Sequence, residues 1–151
     1  MNILKLLEFE EGYREKPYID SLGYPTVAIG KRIGPKGASI DLYQFKVSKL
    51  MASLWLEEEV AHTVRVANAQ EWFKPLSDDR KVIILSMIYQ MGLVGVLKFK
   101  NMIKALESRN WKEAEKQALD SLWARQTPER ALRHAKALGG DKLADVYKGL
   151  I

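Results

Sequence analysis

Residues Glu11 to Thr26 read EGYREKPYIDSLGYPT, and the organisation of the rest of the chain follows from this stretch. Glu11, Asp20 and Thr26 stand nine and then six positions apart, across a junction patterned as helix end, strand, turn and strand. Ahead of it, Asn2 is a suitable N-cap, and Ile3, Leu6, Leu7 and Glu10 recur at helical spacing up to a natural stop at Gly12. From Tyr13 the period shortens. Tyr18 and Ile19 lead into Asp20, Ser21-Leu22-Gly23 supplies turn chemistry, and Tyr24 to Ile29 resumes as strand. Two carboxylates and a hydroxyl carried by different elements to one cleft are the groups that hydrolysis of a glycosidic bond uses. Glu11 falls in the last helical turn, where the negative pole of the helix disfavours a carboxylate, a setting that suits a general acid. Residue types alone leave blander readings open. Glu11 is also one more acid beside Glu8, Glu10 and Glu15 on a solvated face, Asp20 a common turn residue and Thr26 an ordinary strand residue.

Working outward, Pro25 confines its strand to an edge or to a position that needs no N–H donor. Gly30, Gly34, Pro35 and Gly37 mark further turns, so a small antiparallel sheet is expected through about Lys36. Ser39 or Asp41 caps a short helix through Phe45, and Ser48 opens a long one to about Asn68. Its apolar stripe, Met51, Leu54, Trp55, Ala61 and Val64, is interrupted by Glu57-Glu58-Glu59, the pattern of a partly exposed helix bridging two lobes. His62, on that helix, reads as a surface or packing residue. After Pro75, Ser77-Asp78-Asp79 is a strong helix start, and VIILSMIYQMG is apolar nearly all round, as the buried centre of a helical lobe should be. Gln90 is the polar exception, structural or facing a cleft, and Gly92 is expected to close the helix. Phe99, Met102, Ile103 and Leu106 predict one amphipathic helix. Asn110 and Glu113 predict the start of another around Trp111, with Ala114, Ala118 and Trp123 on its inner face. Thr127-Pro128 supplies an N-cap and first residue for a helix ending at Gly139-Gly140, and Asp141 caps a last one bearing Leu143, Val146, Tyr147 and Leu150.

The chain of 151 residues is 47% hydrophobic, enough for a sizeable core, and carries a formal charge of +5 with a pI near 9.3. That excess attracts an anionic partner, whether nucleic acid, membrane or cell wall. With no cysteine there is neither a disulfide framework nor a thiolate metal site, and the two histidines, His62 and His134, lie far apart in sequence. The N-terminus MNILKLLEFEEG meets acidic residues by Glu8 and lacks the pattern of a secretory signal, and no run of about 18 apolar residues predicts a membrane span. A soluble product made in the cytoplasm is expected.

These residues together carry a resemblance to the phage-type lysozymes of the T-even endolysin kind, glycoside hydrolase family 24. It runs through Glu11-Gly12, Tyr18, Asp20, Gly23-Tyr24, Thr26 and Ile29-Gly30. It resumes with Gln90-Met91-Gly92, Phe99, Asn101, Arg109-Asn110-Trp111, Trp123, Gln126-Thr127-Pro128, Arg130 and Tyr147-Lys148, with a shortening between Gly37 and Ser48. The resemblance implies a mainly α, α+β lysozyme-like fold in a single domain over 1–151. An N-terminal lobe with a small antiparallel sheet spans about 13–47, with the first helix packed on the other lobe. A connecting helix follows over about 48–68, and a helical lobe over about 69–151.

The implied activity is that of a muramidase cleaving the β-1,4 bond between N-acetylmuramic acid and N-acetylglucosamine in peptidoglycan. Glu11 matches the proton donor, Asp20 the second carboxylate and Thr26 the residue placing the attacking water. The outcome is inverting, which calls for carboxyl groups about 6.5–9.5 Å apart. Arg130 matches an arginine approaching the glutamate from the helical lobe, and Tyr89, Gln90, Phe99, Gln117 and Arg32 match substrate-binding positions. No cofactor or metal is implied. The implied partners are peptidoglycan glycan strands and a holin that opens the inner membrane. A monomer is expected, held in the host cytoplasm until lysis and then acting in the periplasm, with no stable membrane insertion. The basic stretch Arg125 to Lys136 argues for nucleic acid instead, but Glu129 and apolar residues interrupt it. Lys31 stands where the family usually has histidine and is expected to pair with Glu59, Arg32 replaces a usually apolar residue, and Gln117 a usual asparagine.

Overall fold

The computed structural model describes residues 1–151. Helix α1 spans Ile3–Glu11, with the Asn2 side chain accepting from the Lys5 N–H, and it stops at Gly12, whose N–H returns to the Glu8 carbonyl. It buries Leu6 and Leu7. Three antiparallel strands follow in the order β1 (Arg14–Ile19), β2 (Pro25–Ala28), β3 (Lys31–Arg32), with Tyr18 opposite Thr26 and a register irregularity between Arg14 and Tyr18. Pro25 lies in the central strand rather than at an edge. It is the first residue of β2, opposite Ile19, and the neighbouring ladder bond runs from the Asp20 N–H to the Tyr24 carbonyl, so no donor is missed. The sheet ends at Arg32, short of Lys36, and the segment that follows contains only a 3-10 turn, Ile40–Leu42, capped by Ser39.

Helix α2 spans Lys49–Asn68 with Ser48 as its cap, and buries only Ala52, Leu56, Val60, Thr63 and Ala67 along one stripe. Helix α3, Asp78–Leu97, is capped by Ser77 and carries the fully buried run Ile83 to Ile88. It is long and apolar enough to cross a membrane by composition, yet that run forms the centre of the helical lobe. Its first run closes at Gly92, as expected, and a second short run follows directly. The chain bends there, at φ +78° and ψ 162°, and resumes helical over 93–97. That left-handed φ suits glycine, whose missing Cβ removes the clash.

Helix α4 is Lys100–Glu107, with Met102, Ile103, Ala105 and Leu106 buried. The helix around Trp111 is shorter than its periodicity suggests: α5 covers Trp111–Leu119, and Trp123 belongs to a separate helix α6, Leu122–Gln126, capped by Ser121. Ser121 competes for the helix backbone, its hydroxyl accepting from the Ala124 N–H and donating to the Ala118 carbonyl, which explains the break. Helix α7, Pro128–Gly139, starts on Thr127, but the threonine hydroxyl donates back to the Trp123 carbonyl and makes no cap bond. The last helix, α8, is one turn, Leu143–Val146. Asp141 does not cap it; the carboxylate of Asp79, in the first turn of α3, accepts from the Leu143 N–H at 2.9 Å. α1 packs on α3, α3 also contacts α2 and α7, and one apolar core runs from Val27, Ala28 and Ile29 through Leu6 and Leu7 to Ile83, Ile84 and Leu138.

Candidate active site

A cleft of about 1250 Å³ lies between the sheet and the helical lobe, lined by Glu11, Asp20, Thr26, Arg32, Tyr89, Gln90 and Arg130 among others. Phe99 and Gln117 are not part of that lining. Phe99 packs edge-on against Trp123 at 6.0 Å, and Gln117 donates along its own helix to Glu113 at 2.8 Å.

Glu11 is the last residue of α1, so the helix end delivers it to the cleft. Its Oε1 accepts from Arg130 Nη1 at 2.7 Å, with the arginine 7% and the glutamate side chain 17% exposed. At that depth the pair is screened little by solvent. The other oxygen, Oε2, lies over Gly30: a Cβ there would come within 2.6 Å of it, and Gly30 also has φ +66°. Gly30 is therefore both a backbone requirement and the space in which the carboxyl rests.

Asp20 sits at the β1–β2 turn. Its Oδ1 accepts the N–H groups of Leu22 and Tyr24, both at 2.9 Å, so its role as a turn residue and its placement in the cleft are compatible. Oδ2 faces Arg32 Nε at 3.5 Å, and the Arg32 guanidinium lies 4.0 Å from the centre of the Tyr24 ring. Thr26, buried on β2, donates its hydroxyl proton to the Tyr24 carbonyl at 2.9 Å and so keeps only lone pairs to offer.

The remaining lining residues are tethered to the scaffold. Tyr89 donates to the Ile29 carbonyl at 2.5 Å, and its phenol is pushed up, by burial first and then by the charge of Glu11. Tyr18 is raised for the same two reasons in the same order. Gln90 accepts from the indole N–H of Trp123 at 2.8 Å, which satisfies its oxygen within an apolar helix. Lys31 reaches Glu59 on α2 at 2.8 Å, as its replacement of histidine suggests.

Sequence reasoning missed the neighbours of this site. Glu10 reads as a solvated acid, but its side chain is 3% exposed, bound by Arg133 through Nε at 2.9 Å and Nη2 at 2.8 Å, and by the Tyr147 hydroxyl at 2.6 Å. Ser86 and His134, both fully buried, lie behind Arg130. One signal was present: Ser86 is a lone hydroxyl in the run IILSMI.

A small antiparallel sheet beside a helical body, with Glu11 and Asp20 lining one cleft between them, is the arrangement of a lysozyme-like hydrolase. Residues 8–137 match the family described as phage lysozyme, and the chain belongs to that family. It is 29% identical to a probable T4-type lysozyme 1 of Dictyostelium discoideum, over 87% of this chain and 90% of that one. It is 30% identical to an endolysin of Salmonella phage P22, over 87% of this chain and 94% of the other. It is also 29% identical to the pre-baseplate central spike protein Gp5 of Enterobacteria phage T4, where the match takes 88% of this chain but 27% of the spike protein.

Proposed function

We propose that the protein is an endolysin-type muramidase that hydrolyses the β-1,4 bond between N-acetylmuramic acid and N-acetylglucosamine in bacterial peptidoglycan. The observation that carries this is the division of labour among the oxygens of Glu11, Asp20 and Thr26. Arg130 occupies Glu11 Oε1, so Oε2, over Gly30, carries the proton given to the leaving glycosidic oxygen. Two backbone amides occupy Asp20 Oδ1, and Thr26 has spent its only proton on Tyr24. A water between Asp20 Oδ2 and Thr26 Oγ1 can only donate to both, which turns its lone pair toward the sugar. Ionised Asp20 takes up the proton of that water and stabilises the positive charge developing on the ring. Attack from the face opposite Glu11 inverts the anomeric centre and calls for carboxyl groups about 6.5–9.5 Å apart.

Around this centre, Gln90 keeps its amide N–H groups for a sugar N-acetyl group, since Trp123 uses only its oxygen. Tyr89 and Arg32 line the same cleft. Phe99 reaches the cleft only through Trp123, on which it packs, and Gln117, tied to Glu113 on its own helix, has no part in this reading. The P22 endolysin, matched over nearly its full length, supports the endolysin reading, and release to the wall through a holin and action as a monomer are part of the same proposal. The net positive charge suits the anionic wall.

Loss of turbidity of chloroform-permeabilised Gram-negative cells tests the proposal. Wild type should clear the suspension, while Glu11→Gln and Asp20→Asn, each folded, should fall at least about 100-fold. A folded wild type that clears nothing, or an active Glu11→Gln, overturns it. NMR of the first-formed reducing end reads the stereochemistry: the α-anomer supports inversion, and the β-anomer excludes it.

A further inference from the structure

Behind Glu11 runs a series of five buried or half-buried groups: Arg130, Ser86, His134, Tyr147 and Glu10. Arg130 Nη2 lies 2.9 Å from Ser86 Oγ, which lies 2.8 Å from His134 Nε2. His134 Nδ1 lies 3.2 Å from the Tyr147 hydroxyl, which lies 2.6 Å from Glu10 Oε1. With His134 neutral, as its burial favours, the ends fix every role between them, because a guanidinium can only donate and an ionised carboxylate only accept. Tyr147 donates to Glu10 and so accepts from Nδ1–H, which leaves Nε2 of the neutral imidazole bare to accept from Ser86, while Ser86 accepts from Arg130. Only one arrangement of protons satisfies all four contacts.

The guanidinium depends on this arrangement more than usual. Arg130 Nε is buried with no hydrogen-bond partner, so the orientation of the fork rests on Glu11 on one side and Ser86 on the other, where its Nη2 also approaches the Ser86 carbonyl at 3.4 Å. We propose that Ser86 and His134 are positioning residues for Glu11, the Nδ1–H form of His134 aiming the Ser86 lone pair at Arg130 and so fixing the guanidinium that holds the acid. The link to catalysis rests on Glu11 being the proton donor; the link to the guanidinium does not.

Three measurements test it. In protein labelled with nitrogen-15 at histidine, His134 should show a protonated Nδ1 and a bare Nε2 at neutral pH, with exposed His62 as the internal reference; the Nε2–H form overturns the proposal. A pair of variants separates positioning from packing: His134→Gln keeps an acceptor for Ser86, and His134→Leu fills the space without one. The Arg130 Nη protons should be resolved in wild type and His134→Gln and averaged by rotation in His134→Leu. Clearing activity should follow, with kcat falling about 10-fold in His134→Leu, KM unchanged, and most of the rate kept in His134→Gln. Equal losses in both variants, or a rigid guanidinium in His134→Leu, overturn the proposal. An inactive wild type with the expected spectra would instead count against the muramidase function and leave the positioning of Arg130 standing.

Discussion

The carboxyl of Glu11 rests on a glycine as much as on an arginine. Replacing Gly30 by alanine places a methyl group 2.6 Å from Oε2 at a left-handed φ, so the backbone and the acid cannot both stay where they are. Gly30→Ala should cost about 1–3 kcal/mol in thermal unfolding and lower clearing activity about 100-fold, because the displaced group is the proposed proton donor. Unchanged activity would mean that Glu11 does not need this position. Lys31 and Glu59 make a smaller prediction. The two side chains are 33% and 45% exposed, so a double-mutant cycle on thermal stability should give a coupling of about 0.2–1 kcal/mol, with similar losses from Lys31→Ala and Glu59→Ala. At this scale the sequence was most informative where chemistry is local. Glu11, Asp20 and Thr26 sit within sixteen residues whose turn and cap signals are strong. Glu10 was misread because its partners, Arg133 and Tyr147, lie more than a hundred residues away, and a charge run carries no mark of which member is buried.

Elements that begin with a side-chain cap of their own were legible, and those finished by tertiary contacts were not. Asn2, Ser48, Ser77 and Asn110 each cap the helix that follows, as their positions suggest. The last helix shows the opposite case, since its N-terminal donor is satisfied by Asp79, on α3. Asp79→Ala should therefore cost about 1 kcal/mol and loosen α8, with faster amide exchange at Leu143, while α3 keeps its Ser77 cap. Exchange raised equally along α3 would show that Asp79 serves its own helix instead. The division between α5 and α6 was hidden for a related reason. Apolar periodicity continues through Ala114, Ala118 and Trp123, and nothing in that pattern registers a serine whose hydroxyl takes over two backbone partners. Gly92 was legible as the point where the helix breaks, but the short helical run over 93–97 that follows it was not.

For the molecule as a whole, the buried polar series gives folding a dependence on pH. Burial, with help from Arg130 and Arg133, holds His134 well below the ordinary imidazole value of 6.5. The unfolded chain thus binds a proton that the folded chain refuses. Stability from this group is fully present above about pH 6.5 and is lost as pH falls below it, by up to about 1.4 kcal/mol per pH unit. The melting temperature should drop between pH 6.5 and 5, and His134→Gln should flatten that slope; an unaltered slope would locate the titration elsewhere. The long, partly exposed α2 and the buried α3 were readable in outline, from a thin apolar stripe followed by a run apolar on every side. That the seventh helix reaches the first through Arg130 was expected from the family resemblance, but the second link, from Arg133 to Glu10, was not. Glu11 and Arg130 are separated by 119 positions, and Glu10 and Arg133 by 123. A ribosome makes α1 early and α7 late, and until α7 emerges the acid has no clamp. A nascent or prematurely terminated chain can carry all three cleft oxygen groups and still leave the proposed proton donor unplaced, so on that reading the order of synthesis itself delays the appearance of activity.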